Sequence, residues 1–211
     1  GIQNDVALGA GSGAPSMSGT WVLIHDKSTC VLGTNEQRTR AVYRMKIEDP
    51  AGSTRELEEQ RLLCQISLSE VLGQKIVIPD SVQRSIHYVD IDEGWVSGLK
   101  SGDTYISSTE VALWGLDGSK MQNPVDEDLP QTADNDIVVD ADSDGNPAVS
   151  YAVNEGDCIR YNSQRQVVRY LGEFTTPNQI DGQSTTNTDL VIYGSSKSYC
   201  KISAPLDAND K

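Results

Sequence analysis

The stretch Asp140-Ala141-Asp142-Ser143-Asp144-Gly145 places a carboxylate at every second position and closes on a glycine. In a tight loop alternate residues turn toward one centre, so Asp140, Asp142 and Asp144 offer three oxygen ligands to a single cation, and Gly145 permits the backbone reversal after the third. The carbonyl of Asn146 would supply the next oxygen, at the position that donates a main-chain ligand in loops of this kind. Hard oxygen donors suit Ca2+, which takes roughly six to eight of them, better than Mg2+ or a thiophilic metal. Three clustered carboxylates without a cation repel one another, so calcium is the expected cofactor. A solvated, Asp-rich turn is the plainer alternative.

The residues that follow set the type of loop. Pro147 comes next, Ala148 to Val153 reads as a strand, and Tyr151 stands at the twelfth position, where an EF-hand loop needs a glutamate. The D-x-D-x-D-G-x-P pattern resembles the calcium loops of FG-GAP/VCBS-like extracellular repeats, in which the loop joins β-strands. That resemblance implies a calcium-dependent extracellular β-fold. Those repeats place a further Asp after the proline; Ala148 sits there in this chain, leaving Asp136, Glu155 or water to replace the ligand. The stretch Asp140 to Gly172 is also similar to secreted or lipid-anchored bacterial envelope proteins, which implies a location and no defined activity.

Other chemistry is sparse. Cys30, Cys64, Cys158 and Cys200 lie far apart with no C-x-x-C pair, so a zinc site completed by His25 or His87 is disfavoured and disulfides are the better reading. The economical connectivity of the three available joins Cys30 to Cys64 and Cys158 to Cys200, each loop stabilising the fold by about 3 to 4 kcal/mol in the chain-entropy picture. Four buried free thiols are the alternative. Disulfides imply an oxidising compartment: secreted, cell-surface or periplasmic. For nucleophilic catalysis, Ser97/Lys100 and Ser198/Lys201 match S-x-x-K, a pattern expected by chance here. The chain has no G-x-S-x-G elbow, P-loop, dinucleotide fingerprint or H-E-x-x-H. His87 beside Tyr88 and Asp90 reads as a surface or structural histidine. A pair of carboxylates for glycoside hydrolysis remains open, since such pairs are spatial and the chain is rich in acids.

The whole chain bounds these readings. Its 211 residues carry 31 Asp+Glu against 17 Lys+Arg, a net charge of −14, which disfavours nucleic acid and anionic lipid surfaces as partners. Calcium, a protein partner, a glycan or copies of the chain itself remain. No apolar run is long enough for a transmembrane helix. Much of the charge is local: Asp126 to Asp144 holds eight acids and no Lys or Arg.

The elements that must position these residues are strands. Ala41, Tyr43, Met45 and Ile47 alternate with Arg40, Arg44 and Lys46, and Leu62, Cys64, Ile66 and Leu68 repeat the pattern after a turn at Pro50 to Ser53, which predicts a hairpin. Arg55 to Arg61 could instead form a helical turn. Further strands are expected at 20–25, 75–78, 104–114, 137–139, 148–153, 158–161, 166–171 and 190–193, with a short helix at 81–88. Trp21, Trp95 and Trp114 read as core, with a glycan-stacking platform as the alternative.

Gly19-Thr20-Trp21 is similar to the G-x-W that opens lipocalin-like barrels, which implies that Trp21 packs under a barrel floor; Arg169 is the stand-in for the late arginine of that family. The expected fold is all-β, an antiparallel barrel or sandwich, lipocalin-like barrels included, with two disulfides. Residues 1–19 read as a linker and 20–211 as a single domain. The expected function is that of an exported, non-catalytic, calcium-binding module. The alternatives are a subunit of an extracellular assembly, in which Ile2 to Leu8 pairs with a neighbour's sheet edge, and a carboxylate-dependent hydrolase.

Overall fold

A computed structural model of the chain describes residues 2–3, 16–31, 35–49, 56–89 and 93–200. The strands in chain order are β1 (Ile2–Gln3), β2 (Gly19–Val31), β3 (Asn35–Glu48), β4 (Glu56–Leu68), β5 (Ile76–Val77), β6 (His87–Val89), β7 (Glu93–Val96), β8 (Thr104–Ser107), β9 (Glu110–Trp114), β10 (Val149–Val153), β11 (Cys158–Thr176) and β12 (Gln179–Ser195). One short α-helix, Asp80–Ser85, precedes β6. All pairings are antiparallel, and they join the strands into one open sheet ordered β1-β2-β3-β4-β7-β8-β11-β10-β5, with β12 and β9 also on β11 and β6 on β9. The all-β antiparallel expectation holds, in an open sheet rather than a closed barrel.

The sheet curls until β2 faces β12 through side chains. Ser184 Oγ lies 2.8 Å from His25 Nε2, and Lys27 Nζ donates to Thr188 Oγ1 at 2.9 Å. Between them the inward faces of the strands bury Trp21, Leu23, Tyr43, Met45, Ile47, Leu57, Tyr105, Tyr170 and Phe174 in one core. Trp21 and Trp114 are buried, whereas Trp95 is only half-buried. Trp21 also donates its Nε1–H to the Met17 carbonyl at 2.8 Å. Arg169, the stand-in for the lipocalin arginine, is exposed on β11.

The β3–β4 hairpin forms as expected, but its phase changes midway. Val42 pairs with Gln65 and Tyr43 with Leu63, so Cys64 is the extra residue of a β-bulge. Before the bulge Leu57, Glu59 and Leu63 are buried, while Leu62 and Cys64 are exposed; after it Ile66 and Leu68 are partly buried. One added residue transfers the inward face from odd to even positions. The stretch read as a helical turn up to Arg61 is strand from Glu56 onward.

This arrangement also corrects the disulfide reading. Cys158 and Cys200 are bonded, whereas Cys64 is a free, exposed thiol. Cys30 lies on β2 and Cys64 on β4, with β3 between them. Strands two apart in a sheet are about 9.5 Å apart, beyond the roughly 7 Å Cα–Cα limit of a disulfide. The side chain of Cys30 lies outside the described residues.

Other differences have the same kind of cause. Residues 104–114 divide into β8 and β9, which pair with different parts of β11. Residues 137–139 contribute only an isolated bridge, Leu116 to Val138. The separate strands expected at 158–161 and 166–171 are one continuous β11. Ile2 and Gln3 pair with His25 and Ile24 of their own β2; residues 4–8 of the proposed arm lie outside the described residues.

The core contains a buried ion cluster. Arg61 of β4 pairs with Glu59 on the same strand, Nη2 to Oε2 2.9 Å, and with Glu110 of β9. The Tyr105 hydroxyl donates to Glu59 Oε1 at 2.9 Å and accepts from Arg61 Nη2 at 3.0 Å, and the guanidinium carbon stands 4.8 Å from the centre of the Tyr170 ring. Burial alone would favour loss of the Arg61 proton, but Tyr105, Glu59 and Tyr170 outweigh it and hold the guanidinium charged. Arg61→Met would leave two carboxylates without their cation in a dry core. We expect a loss of about 3–5 kcal/mol in urea unfolding.

His25 is also enclosed, 6% exposed, between the Tyr170 and Ser184 hydroxyls. Burial, with Lys27 adding to it, lowers its pKa to about 4. A depressed histidine pKa gives stability that is present above the unfolded value near 6.5 and is lost as pH falls toward the folded value. Equilibrium unfolding is therefore expected to show a decline of up to about 3 kcal/mol between those limits. His25→Gln should flatten it.

Candidate metal centre

The segment leading to the loop is tied to the turn after β9. Val139 N donates to Gly115 O at 3.1 Å and Asp117 N to Ile137 O at 2.9 Å. The loop itself closes on a backbone bond from Ala141 N to Ala148 O, 3.0 Å, so the residues between them form a compact excursion before β10. Its reversals fall at Ser143 (φ 59°), Gly145 (φ 85°) and Ala148 (φ 65°). Ala148 is fully buried, and a Cβ on Gly115 would come within 2.5 Å of its Cα. Only glycine at position 115 lets the two backbones meet there.

Within this frame Asp140, Asp142 and Asp144 converge. One oxygen from each lies within 4.8 Å of the others, no farther apart than two ligands of one ion at a calcium–oxygen distance of about 2.4 Å. The carboxylates are held by local donors: Asp140 Oδ1 accepts from Asp144 N at 3.1 Å and its Oδ2 from Gly145 N at 2.9 Å, while Asp144 Oδ1 accepts from Asn146 N at 2.8 Å. Ser150, at the start of β10, donates its N–H to Asp142 Oδ2 at 3.1 Å and its hydroxyl to Asp144 Oδ2 at 2.5 Å. Carboxylate oxygens carry two lone pairs each, so these bonds orient the ligands without exhausting them. Asn146 enters the geometry through its backbone N–H. Sequence reading missed Ser150, because its role arises from β10 folding back beside the loop.

One atom has no such support. Asp142 Oδ1 is buried and lacks a hydrogen-bond partner. Desolvation first, and then the charges of Asp144 and Asp140, raise the Asp142 pKa against the Ser150 amide, which lowers it. Asp144 shows the opposite balance: burial would raise its pKa, but the Ser150 hydroxyl and Asn146 bonds bring it below the ordinary carboxylate value. A cation between the three carboxylates would give Asp142 Oδ1 its missing partner.

The rest of the acidic run does other work. Glu127 Oε2 accepts from the backbone of Gln122 and Asn123, and Asp136 contributes its carbonyl to Lys120 Nζ at 2.6 Å. Among the described residues, Asp140, Asp142 and Asp144 are the only group of acids, histidines and cysteines close enough to share a metal ion. Of the catalytic candidates, Ser97 accepts from Thr104 N in a turn that also holds Lys100, and His87 is exposed on β6. Asp90 and Lys201 lie outside the described residues. Comparison of the chain with protein-family models, with curated proteins and with solved structures finds no match.

A raised carboxyl pKa makes a contribution to stability that is greatest at low pH and lost as pH rises through the carboxylate range. In the presence of a chelator, Asp142→Asn should therefore melt at or a few degrees above the unsubstituted protein at neutral pH. The difference should vanish below the carboxylate range. Asp144→Asn should melt lower at neutral pH, because it removes a lowered pKa.

Proposed function

We propose that the chain is an exported, non-catalytic β-domain whose Asp140 to Asn146 loop binds Ca2+, and that it serves as a binding module at the cell surface or outside the cell. The observation that carries the calcium reading is that Asp142, one of three convergent carboxylates, keeps a buried Oδ1 without a hydrogen-bond partner. The three carboxylates would ligate the ion together with the Asn146 carbonyl and water. The loop opens directly into β10, in keeping with its resemblance to calcium loops that join strands. The ion's role is then structural: it neutralises the loop and fixes the start of β10, coupling fold stability to calcium concentration.

The Cys158–Cys200 disulfide supports export, since such bonds persist in oxidising compartments. Pairing of Ile2 and Gln3 with β2 of the same chain favours an isolated module over strand exchange. Calcium titrated into chelator-stripped protein should give one calorimetric binding event per chain. At a hundredfold excess over Kd it should stabilise the fold by about 2.7 kcal/mol. Asp140→Asn and Asp142→Asn should each abolish both signals, and an unsubstituted protein with neither heat nor thermal shift would overturn the calcium reading.

A further inference from the structure

Away from the metal loop, the curled sheet encloses a cavity of about 450 Å3, within the size range of small-ligand sites. Its walls come from β2, β3, β4, β5, β10, β11 and β12, and it reaches the surface at the exposed residues Ser28 and Asn187. Apolar wall is supplied by Ile66, Leu68, Ile76, Ile78, Leu190 and Ile192. The charged lining is of one sign: Lys27 and Arg160, with no Asp or Glu among the described residues of the wall, in a chain with 31 acids. Such a local field favours an anion although the chain as a whole is negative.

The two cations are placed differently. Arg160 is engaged by the protein, donating Nε to the Cys200 carbonyl at 2.9 Å and Nη2 to Gln74 Oε1 at 3.0 Å. Lys27 donates to one neutral hydroxyl, Thr188 Oγ1, and burial lowers its pKa with no carboxylate to oppose the effect. A ligand carboxylate at this amine would supply the missing countercharge. Further along the wall stands Asn162, 1% exposed. Its Nδ2 has no partner of normal hydrogen-bond geometry; the Asn162 side chain makes only a weak hydrogen bond with the Tyr151 hydroxyl, lowering a pKa that burial raises, and that hydroxyl donates to Gln164 Oε1 at 3.3 Å.

Strand register measures the separation. Thr188, which holds Lys27, pairs with Gln166 on β11, and Asn162 lies four residues back along that strand. At a rise of about 3.3 Å per residue the two polar points are about 13 Å apart, the length of an extended chain of about ten carbons. Apolar side chains of β4 and β12 line the same cavity.

We propose that this cavity binds a singly anionic amphiphile, a carboxylate on an aliphatic chain of about ten carbons, with the carboxylate at Lys27 and an acceptor oxygen at the far end meeting the Asn162 amide. The assignment names a ligand class for the binding module proposed above. It rests on that non-catalytic reading and does not depend on calcium.

The test uses the full chain and 10-hydroxydecanoate as probe, followed by titration calorimetry. One molecule should bind per chain, with 1,10-decanediol and decylamine at least about tenfold weaker, since both lack the charge that Lys27 selects. Lys27→Met should remove the preference for hydroxydecanoate over the diol while Lys27→Arg retains it, and Asn162→Ala should remove the advantage of hydroxydecanoate over decanoate. Leu190→Trp should exclude all of them. Thermal melting of each variant separates loss of the site from loss of the fold. No binding to the unsubstituted protein, equal binding of the amine, or an unchanged preference in folded Lys27→Met would overturn the site and leave the calcium reading standing. Mass spectrometry of the recovered probe keeps the two readings apart: bound but chemically altered probe would overturn the non-catalytic reading and leave the site intact.

Discussion

A strand of 19 residues, β11, carries most of the molecule. On one edge it pairs with β12 almost from end to end; on the other it meets β10, β9 and β8 in succession. Every backbone N–H and C=O of so long a segment needs a partner once it is buried, and different strands supply them along its length. Each partner strand delivers a different part of the protein to the common scaffold. β10 brings the acidic loop, β9 brings Glu110 to Arg61, and the first residue of β11, Cys158, is tied to Cys200 beyond β12. Successive inward residues of β11 pass from the cavity wall at Arg160, Asn162, Gln164 and Gln166 into the packed core at Val168, Tyr170 and Phe174.

That progression divides the interior into halves of different chemistry. Around Tyr170 the space is filled, and the polar groups pair with one another: Arg61 with its two glutamates, although its Nε has no hydrogen-bond partner, Tyr105 with Glu59, and His25 with Ser184 and Tyr170. Such a cluster contributes little net stability over an apolar filling, because desolvation offsets the attraction, but removal of one member is costly. It therefore makes the strand register hard to alter. Toward Arg160 the same sheet leaves space, and donors outnumber carboxylates. The strand facing that space, β12, is correspondingly polar from Asp181 to Asp189 and becomes apolar only at Leu190 to Ile192.

The acidic loop shows how a global property becomes a local one. A net charge of −14 describes the chain as a repeller of anions. In the fold, much of that charge lies in the run from Asp126 to Asp144, and its one convergent group is held by backbone donors and by Ser150. The cavity wall, by contrast, is free of acids among its described residues. The sign of the chain as a whole and that of the cavity lining thus differ.

The period-two pattern of the chain determined by itself that the protein is built from antiparallel strands, that residues 39–68 contain a hairpin, and that Ala41, Tyr43, Met45 and Ile47 face inward. The spacing of Asp140, Asp142 and Asp144 likewise determined their convergence. These are local matters, dictated by strand geometry and by a six-residue loop. Tertiary structure decided the rest. β12 was legible only at its apolar end, because Thr, Ser and Asn on a strand acquire their order from the β11 ladder and not from alternation of their own. Glu59 and Arg61 carry the same inward phase as Leu57 and Leu63, a signal that was present but masked by their charge; only the arrival of Glu110 from β9 makes their burial tolerable. The free thiol of Cys64 follows from the bulge at that residue and the intervening β3, and the meeting of Lys27 with Thr188 from the curl of the sheet. None of these has a local signature, since each depends on residues far apart in sequence brought together by the whole fold.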